Sequence, residues 1–154
     1  MPIVNERLAE LGIELPGSPP PAANYVPFVI SNQQVFVSGQ VPFRDGALAY
    51  RGKVGDKYSL EEAQEAARLV GLNIISVVNQ ACGGDLDRVI RCVKLGGFVN
   101  CTPDFVDQPK VINGASDLMV EVFGDCGRHA RFAVGTNVLP FDVPVEIDAI
   151  FEID

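Results

Sequence analysis

The sequence predicts an α/β domain, α+β in layout, with the element order β-β-α-β-α-β-β and two helices on one face of a sheet. Three observations support this prediction. A Ser-Leu-Glu-Glu sequence at 59–62 precedes apolar residues at helical spacing, which is typical of a capped amphipathic helix. The last segment, 145–154, alternates between apolar and mostly acidic residues, as a half-buried strand does. Between them lie a β-branched segment, 87–99, and a second stretch of helical spacing, 110–123.

The N-terminal third predicts a helix, an arm, a hairpin and a loop. Residues 3–11 fit a short amphipathic helix, because their apolar residues can share one face. The proline-rich stretch 16–23 predicts an extended arm, since proline fixes φ and lacks an amide hydrogen. Segments 25–30 and 35–40 flank a Ser-Asn-Gln-Gln turn and predict a hairpin. The glycine-containing, charged segment 44–57 indicates a loop with at most one short strand.

The strongest local signal is the capping box of Ser59 and Glu62, in which each side chain can bond the other residue's backbone N–H. A long helix follows it, and Gly83-Gly84 ends that helix. Residues at helical spacing give this helix one wide apolar face: Leu60, Ala63, Ala67, Val70, Ile74, Val77, Val78 and Ala81.

The C-terminal half continues with a strand at 87–99, a helix at 110–123 and two strands at 131–138 and 145–154. The final strand points its apolar residues to one side and Glu146 to the other. Two helices can cover only one face of such a sheet. The other face would expose apolar and aromatic side chains, which a monomer rarely tolerates in quantity. We therefore expect self-association, for which closed cyclic assemblies are the usual form.

Composition and charge limit the kinds of protein that this chain can be. The chain has 154 residues, of which 47% are hydrophobic, and this fits one domain spanning 1–154, with the helix and arm of residues 1–23 at its start. Its net charge of −8 argues against a broad nucleic-acid interface, because such surfaces use Lys and Arg to neutralise phosphates. The sequence lacks an apolar run of ~20 residues that could span a membrane, and its first residues do not resemble a secretory signal. These features predict a cytoplasmic protein without a membrane partner.

The cysteines, Cys82, Cys92, Cys101 and Cys126, show no CxxC spacing, and His129 is the only histidine. This pattern predicts reduced, mostly buried thiols and gives no indication of a metal site. Catalytic use of Cys101, Cys126 or His129 remains an alternative. His129 attracts attention because it lies two residues before an arginine, Arg131, that the next observations single out.

Three segments, in order along the chain, resemble the RidA or YjgF-type family, also labelled endoribonuclease L-PSP. The first ends in Ser-Gly-Gln-Val-Pro at 38–42, the second surrounds Asn113, and the third, 130–150, contains Arg, Leu-Pro and Glu-Ile-Asp. The resemblance runs from Tyr25 to Glu152. It implies a chorismate-mutase-like fold and a homotrimer around a central barrel, with a cleft at each subunit interface. The extra N-terminal arm and the 44–58 loop indicate a longer branch of this family.

The resemblance also implies an activity and a site. Many RidA-type proteins hydrolyse reactive imines, formed from enamines such as 2-aminoacrylate, to 2-keto acids and ammonia, without a metal or organic cofactor. Arg131 matches the arginine that binds the substrate carboxylate, and Glu146 the acidic residue near the attacked carbon. Tyr25, Ser38 and Asn113 match residues that line the same cleft. An arginine suits this role because its planar fork binds a carboxylate through two parallel hydrogen bonds.

Each of these residues also has a purely structural interpretation. Arg131 could be an ion-pair partner, and Glu146 a solvent-exposed strand residue. Tyr25 could be an ordinary rim aromatic, Ser38 could serve close packing, and Asn113 could cap its own helix. At the level of the whole protein, the alternatives to an imine deaminase are a trimeric carboxylate-binding protein without catalysis and an endoribonuclease. The negative charge disfavours the endoribonuclease.

Overall fold

The computed structural model describes residues 3–17 and 24–154, so most of the predicted arm, 18–23, lies outside the described residues. The helices are α1 (Ile3–Glu10), α2 (Leu60–Ala81) and α3 (Gln108–Phe123). The strands are β1 (Phe28–Ser31), β2 (Gln34–Gln40), β3 (Phe43–Arg44), β4 (Ala47–Leu48), β5 (Val89–Asn100), β6 (Ala130–Thr136) and β7 (Val145–Ile153). Short 3₁₀ turns occupy Leu86–Arg88, Gly124–Gly127 and Pro140–Asp142.

The local signals that the sequence carries at α2 and β7 are confirmed. The Ser59 hydroxyl accepts a hydrogen bond from the Glu62 backbone N–H, and the Glu62 carboxylate accepts one from the Ser59 N–H, both at 3.2 Å. In β7 every second residue, from Val145 to Ile153, is buried. The hairpin of β1 and β2 turns at Ser31 to Gln34, as predicted.

Several predicted boundaries were wrong. Helix α3 begins at Gln108 and not at Lys110, and β6 ends at Thr136 and not at Val138. The first strand begins at Phe28 and not at Tyr25, because Val26 and Pro27 offer their carbonyls to Ser38 instead of forming a regular ladder. Residues 86–88 form a 3₁₀ turn, so β5 begins at Val89. The segment 44–57 contributes to two short strands, β3 and β4, where at most one was expected. They turn at Asp45 and Gly46, both of which have positive φ.

The main sheet has the order β1-β2-β7-β5-β6. Neighbouring strands in this sheet are antiparallel, except for β5 and β6. These two strands are parallel and are connected through α3. A parallel pair needs such a crossover, because a tight turn would reverse the chain direction. Helices α2 and α3 pack together against one face, and the core lies between them and the alternate residues of β2, β5 and β7. The predicted α/β layout, with two helices on one face of a sheet, is confirmed.

The opposite face of the sheet, which we call the open face, carries apolar side chains that no helix covers. Phe36 and Phe98 are each 40% exposed on this face, and Phe36 is paired in register with Ile150. The rings of Phe98 and Phe132 meet edge to face at 5.4 Å. The predicted uncovered face is therefore confirmed for a single chain. No helix within residues 3–17 and 24–154 is long and apolar enough to cross a bilayer.

Candidate functional site

Arg131 lies near the start of β6, at the edge of the sheet, and its side chain reaches towards α3. Its Nη1 donates hydrogen bonds to Oδ1 of Asn113 at 2.8 Å and to Oγ of Ser116 at 3.1 Å. Since Nη1 has two hydrogens, these bonds use both. Within the described part of the chain, Nε and Nη2 make no hydrogen bond, and Arg131 has no carboxylate partner. The Nε–Nη2 edge is the donor pair that matches a carboxylate.

His129 extends this arrangement. Its Nδ1 lies 2.6 Å from the carbonyl oxygen of Gly127, and its Nε2 lies 2.9 Å from Oγ of Ser116. A carbonyl oxygen can only accept, so Nδ1 carries the hydrogen, and in the neutral ring Nε2 accepts one from the Ser116 hydroxyl. Ser116 did not stand out in the sequence, because nothing local connects it to Arg131. His129 is thus a hydrogen-bonded side chain with a protein partner at each ring nitrogen.

Glu146 lies on the open face, between the buried residues Val145 and Ile147. Burial raises the pKa of its carboxyl group, and the negative charge of Asp148 raises that pKa further. A raised pKa suits a group that must both take up and release a proton near neutral pH. The backbone of Gly39, in the adjacent strand β2, lies against the carboxylate.

Ser38 directly precedes Gly39 in β2 and is hydrogen-bonded to the segment that follows Tyr25. The Ser38 hydroxyl donates to the carbonyl oxygen of Val26 at 2.6 Å, and its N–H donates to that of Pro27 at 2.9 Å. Ser38 thereby attaches the segment that carries Tyr25 to β2. The Tyr25 side chain is 56% exposed. The hydroxyl of Ser38 therefore has a structural partner, and direct contact of Ser38 with a ligand stays a prediction.

In one chain, Arg131 and Glu146 belong to different faces of the sheet. Arg131 shares its register position with the buried Leu95 and points towards α3, whereas Glu146 pairs with Phe98 on the open face. Strand β5 separates their strands, so the two backbones lie about 10 Å apart across the sheet. The two residues are also offset along the strands. Leu95 of β5 pairs with Arg131 on one side and with Ala149 on the other, and Ala149 lies three residues after Glu146 in β7. A small ligand cannot contact both side chains of the same subunit.

The described residues do not bring three His, Cys, Asp or Glu side chains together in a way that could hold a metal ion. All four cysteines are free thiols, with Cys82, Cys92 and Cys101 buried and Cys126 exposed. The prediction that most of the thiols are buried is therefore confirmed.

The model of one protein family matches residues 5–151, nearly the whole chain, and that family is described as "YjgF/chorismate_mutase-like, putative endoribonuclease". The chain belongs to this family. Protein TCP17 of Trypanosoma cruzi is 49% identical to this YjgF-type chain over 152 residues, which cover 98% of the chain and 94% of TCP17.

Solved structures of other proteins support the same assignment. Protein Atu1372 of Agrobacterium tumefaciens, whose function is unknown, is 51% identical and superposes with a TM-score of 0.91 over 99% of this chain and 94% of Atu1372. A Shewanella oneidensis protein that carries the endoribonuclease label is 36% identical, with a TM-score of 0.93 over 97% of this chain and 99% of its own. These similarities establish the YjgF fold and family, and the names attached to them differ too much to define one reaction.

Proposed function

We propose that this YjgF-type protein hydrolyses small 2-imino acids, formed from enamines such as 2-aminoacrylate, to 2-keto acids and ammonia. The observation that carries the proposal is the Nε–Nη2 edge of Arg131, which has no carboxylate partner among the described residues. Asn113 and Ser116 occupy only Nη1, so the edge that matches a substrate carboxylate is left for a ligand. The family membership supports the same interpretation.

The proposed reaction consumes one water and needs no cofactor. Arg131 binds the carboxylate next to the C=N carbon, which places that carbon at a fixed position. Glu146 takes a proton from a water molecule as the water oxygen bonds to the carbon of the protonated imine, and the electron pair of the C=N double bond becomes the lone pair of an amine. Glu146 then returns its proton to this nitrogen, and as the C–N bond breaks the hydroxyl group gives its proton back to Glu146, which releases ammonia and leaves the keto acid. The raised pKa of Glu146 makes its carboxylate a stronger base for the proton of the attacking water.

The proposed site lies between subunits of a homotrimer, and Arg131 and Glu146 come from different chains. The finding that the two side chains of one chain lie on opposite faces of the sheet supports this arrangement. The open face, with Phe36, Phe98 and Ile150, supplies the apolar surface through which the chains would associate. Tyr25 and Ser38 would line the Glu146 side of the cleft. The four free thiols suit a reducing compartment, so we propose that the trimer works in the cytoplasm.

Substitutions at Arg131 and Glu146 test the proposal, with binding and turnover measured separately. Arg131→Ala should abolish binding of pyruvate, a stable 2-keto acid, in calorimetry. Arg131→Lys should also fail, because an ammonium group cannot form the two-pronged contact. Glu146→Gln should bind pyruvate almost normally, but should lose ~10²–10⁴-fold in kcat for imines generated by an amino-acid oxidase.

Two outcomes would contradict the proposal in different ways. A fully active Arg131→Ala variant would show that the site is wrongly placed. A wild-type protein that binds pyruvate through Arg131 but hydrolyses no imine would instead be a carboxylate-binding protein, the second function that the sequence leaves open. The endoribonuclease function receives less support, because the net charge is −8 and both ring nitrogens of the only histidine have protein partners.

A further inference from the structure

We propose that Ser116 and His129 are positioning residues that orient the guanidinium group of Arg131 for its ligand. This inference rests on the proposed function and adds two residues to its site. The three side chains form one hydrogen-bonded series: Arg131 Nη1 donates to Ser116 Oγ at 3.1 Å, and Ser116 Oγ lies 2.9 Å from His129 Nε2. The series ends where His129 Nδ1 donates to the Gly127 carbonyl at 2.6 Å.

The direction of every bond in this series follows from its ends. The Gly127 carbonyl must accept, so His129 Nδ1 is protonated and Nε2 of the neutral ring accepts from the Ser116 hydroxyl. The hydroxyl proton is thereby committed to His129, and the lone pairs of Ser116 Oγ face Arg131, which can only donate. Without His129, the Ser116 hydroxyl could donate to a backbone carbonyl of its own helix instead. Its lone pairs would then no longer face Arg131.

The far end of the series is held by close packing of backbone on backbone. A Cβ atom on Gly127 would lie 2.1 Å from the carbonyl oxygen of Met119 in α3, so the chain at Gly127 lies directly against this helix. Gly127 is also buried. Ser116 belongs to the same helix, as does Asn113, the other partner of Arg131 Nη1. Helix α3 therefore supports both hydrogen bonds of Nη1, one directly through Asn113 and one through Ser116, which His129 orients.

The consequence concerns ligand binding more than the chemical step. With both hydrogens of Nη1 held, the plane of the guanidinium is fixed and its Nε–Nη2 edge points in one direction. Loss of the Ser116 contact leaves only Asn113, so the guanidinium can rotate about that bond. Because these contacts exist before the ligand arrives, their loss should weaken binding of substrate and product alike, whereas kcat should change little.

Binding measurements on four variants and one control variant test this. Ser116→Ala and His129→Ala should each weaken pyruvate binding and raise KM for the imine by about 10-fold, the usual effect of losing one hydrogen bond to a charged group. The double variant should bind no more weakly than Ser116→Ala alone, because both changes remove the same support. Ser116→Thr, which keeps the hydroxyl, should bind pyruvate as tightly as wild type does. Asp117→Ala, at the exposed neighbouring position of α3, is the matched control and should match wild type.

Nitrogen NMR of the single histidine gives a readout that needs no ligand. At mildly alkaline pH, the ring should be protonated at Nδ1 and not at Nε2. Ser116→Ala should shift the Nε2 resonance, and Asp117→Ala should not. A proton on Nε2, an unshifted spectrum in Ser116→Ala, or additive losses in the double variant would overturn the positioning role. If wild type neither binds pyruvate nor hydrolyses imines, the proposed function fails, while the spectrum still decides whether Ser116 and His129 form this series.

Discussion

A Cβ atom on Gly39 would lie 2.4 Å from Oε2 of Glu146, so the carboxylate occupies the space that any other residue at this position would fill. Gly39 is the central residue of the Ser-Gly-Gln sequence in β2, and Glu146 lies in the neighbouring strand β7. The atom in conflict is the end of a flexible side chain. A larger residue at 39 would thus displace the carboxylate and leave the backbone of both strands in place.

Gly39→Ala should therefore impair turnover without unfolding the protein. We expect kcat for imine hydrolysis to fall by at least ~10-fold, because a general base must lie within hydrogen-bonding distance of the proton it takes. Pyruvate binding, which depends on Arg131, should change little. Gly17→Ala is the matched control, since no atom of the described residues lies within 4 Å of its added Cβ. Loss of the folded state in Gly39→Ala, monitored by thermal unfolding, would contradict the expected movement of the side chain.

Glu146 should lower the stability of the folded protein at neutral pH. Its folded-state pKa is raised, first by burial and then by Asp148. The folded state therefore binds the proton more tightly than the unfolded state. This contribution to stability is fully present below the unfolded pKa, about 4.3 for an unperturbed glutamate, and is lost as the pH rises through the folded pKa.

Glu146→Gln should consequently be more stable than wild type at neutral pH, and the difference should disappear in acid. Urea titrations at several pH values would measure it. Asp148→Asn removes the second cause of the shift, so the acid limb of kcat/KM should move to lower pH in that variant. A wild-type protein that gains stability relative to Glu146→Gln as the pH rises would contradict the direction of the shift.

The open face should mediate assembly. Ile150→Glu places a charge opposite Phe36, within the apolar surface of the sheet, and should convert the expected trimer of 16.5 kDa chains to monomers. The monomer should be inactive, because Arg131 and Glu146 of one chain cannot share a ligand. Sedimentation equilibrium would measure the mass, and Val106→Glu, at a side chain that is 76% exposed, is the control. A wild-type protein that sediments as a monomer would contradict both the assembly and the interfacial site.

Thiol modification should leave activity intact. Only Cys126 is exposed, so one alkylation per native chain is expected in mass spectrometry, and none in Cys126→Ser. Burial raises the pKa of Cys82, and it raises that of Cys92 to about 12, which keeps both as unreactive thiols at neutral pH. Loss of deaminase activity after labelling of a single cysteine would instead assign that residue to the site.

The sequence by itself determined the elements whose signals are local. The capping box at Ser59 begins α2, and the alternation in β7 assigns Glu146 to the uncovered face, because hydrogen bonds and side-chain direction within one element depend only on neighbours in the chain. The order of the family motifs identified the fold and selected Arg131.

Only the tertiary structure decided which elements meet. Local patterns do not encode the strand order, so they could not place Gly39 beside Glu146 or put β5 between the strands of Arg131 and Glu146. They also gave no sign that Ser116 contacts Arg131, because that pair forms only when α3 packs next to β6. Tyr25 was misassigned to a strand for the same reason. Whether a backbone group joins a ladder depends on a partner far away in sequence, and here Ser38 bonds the carbonyls that precede β1.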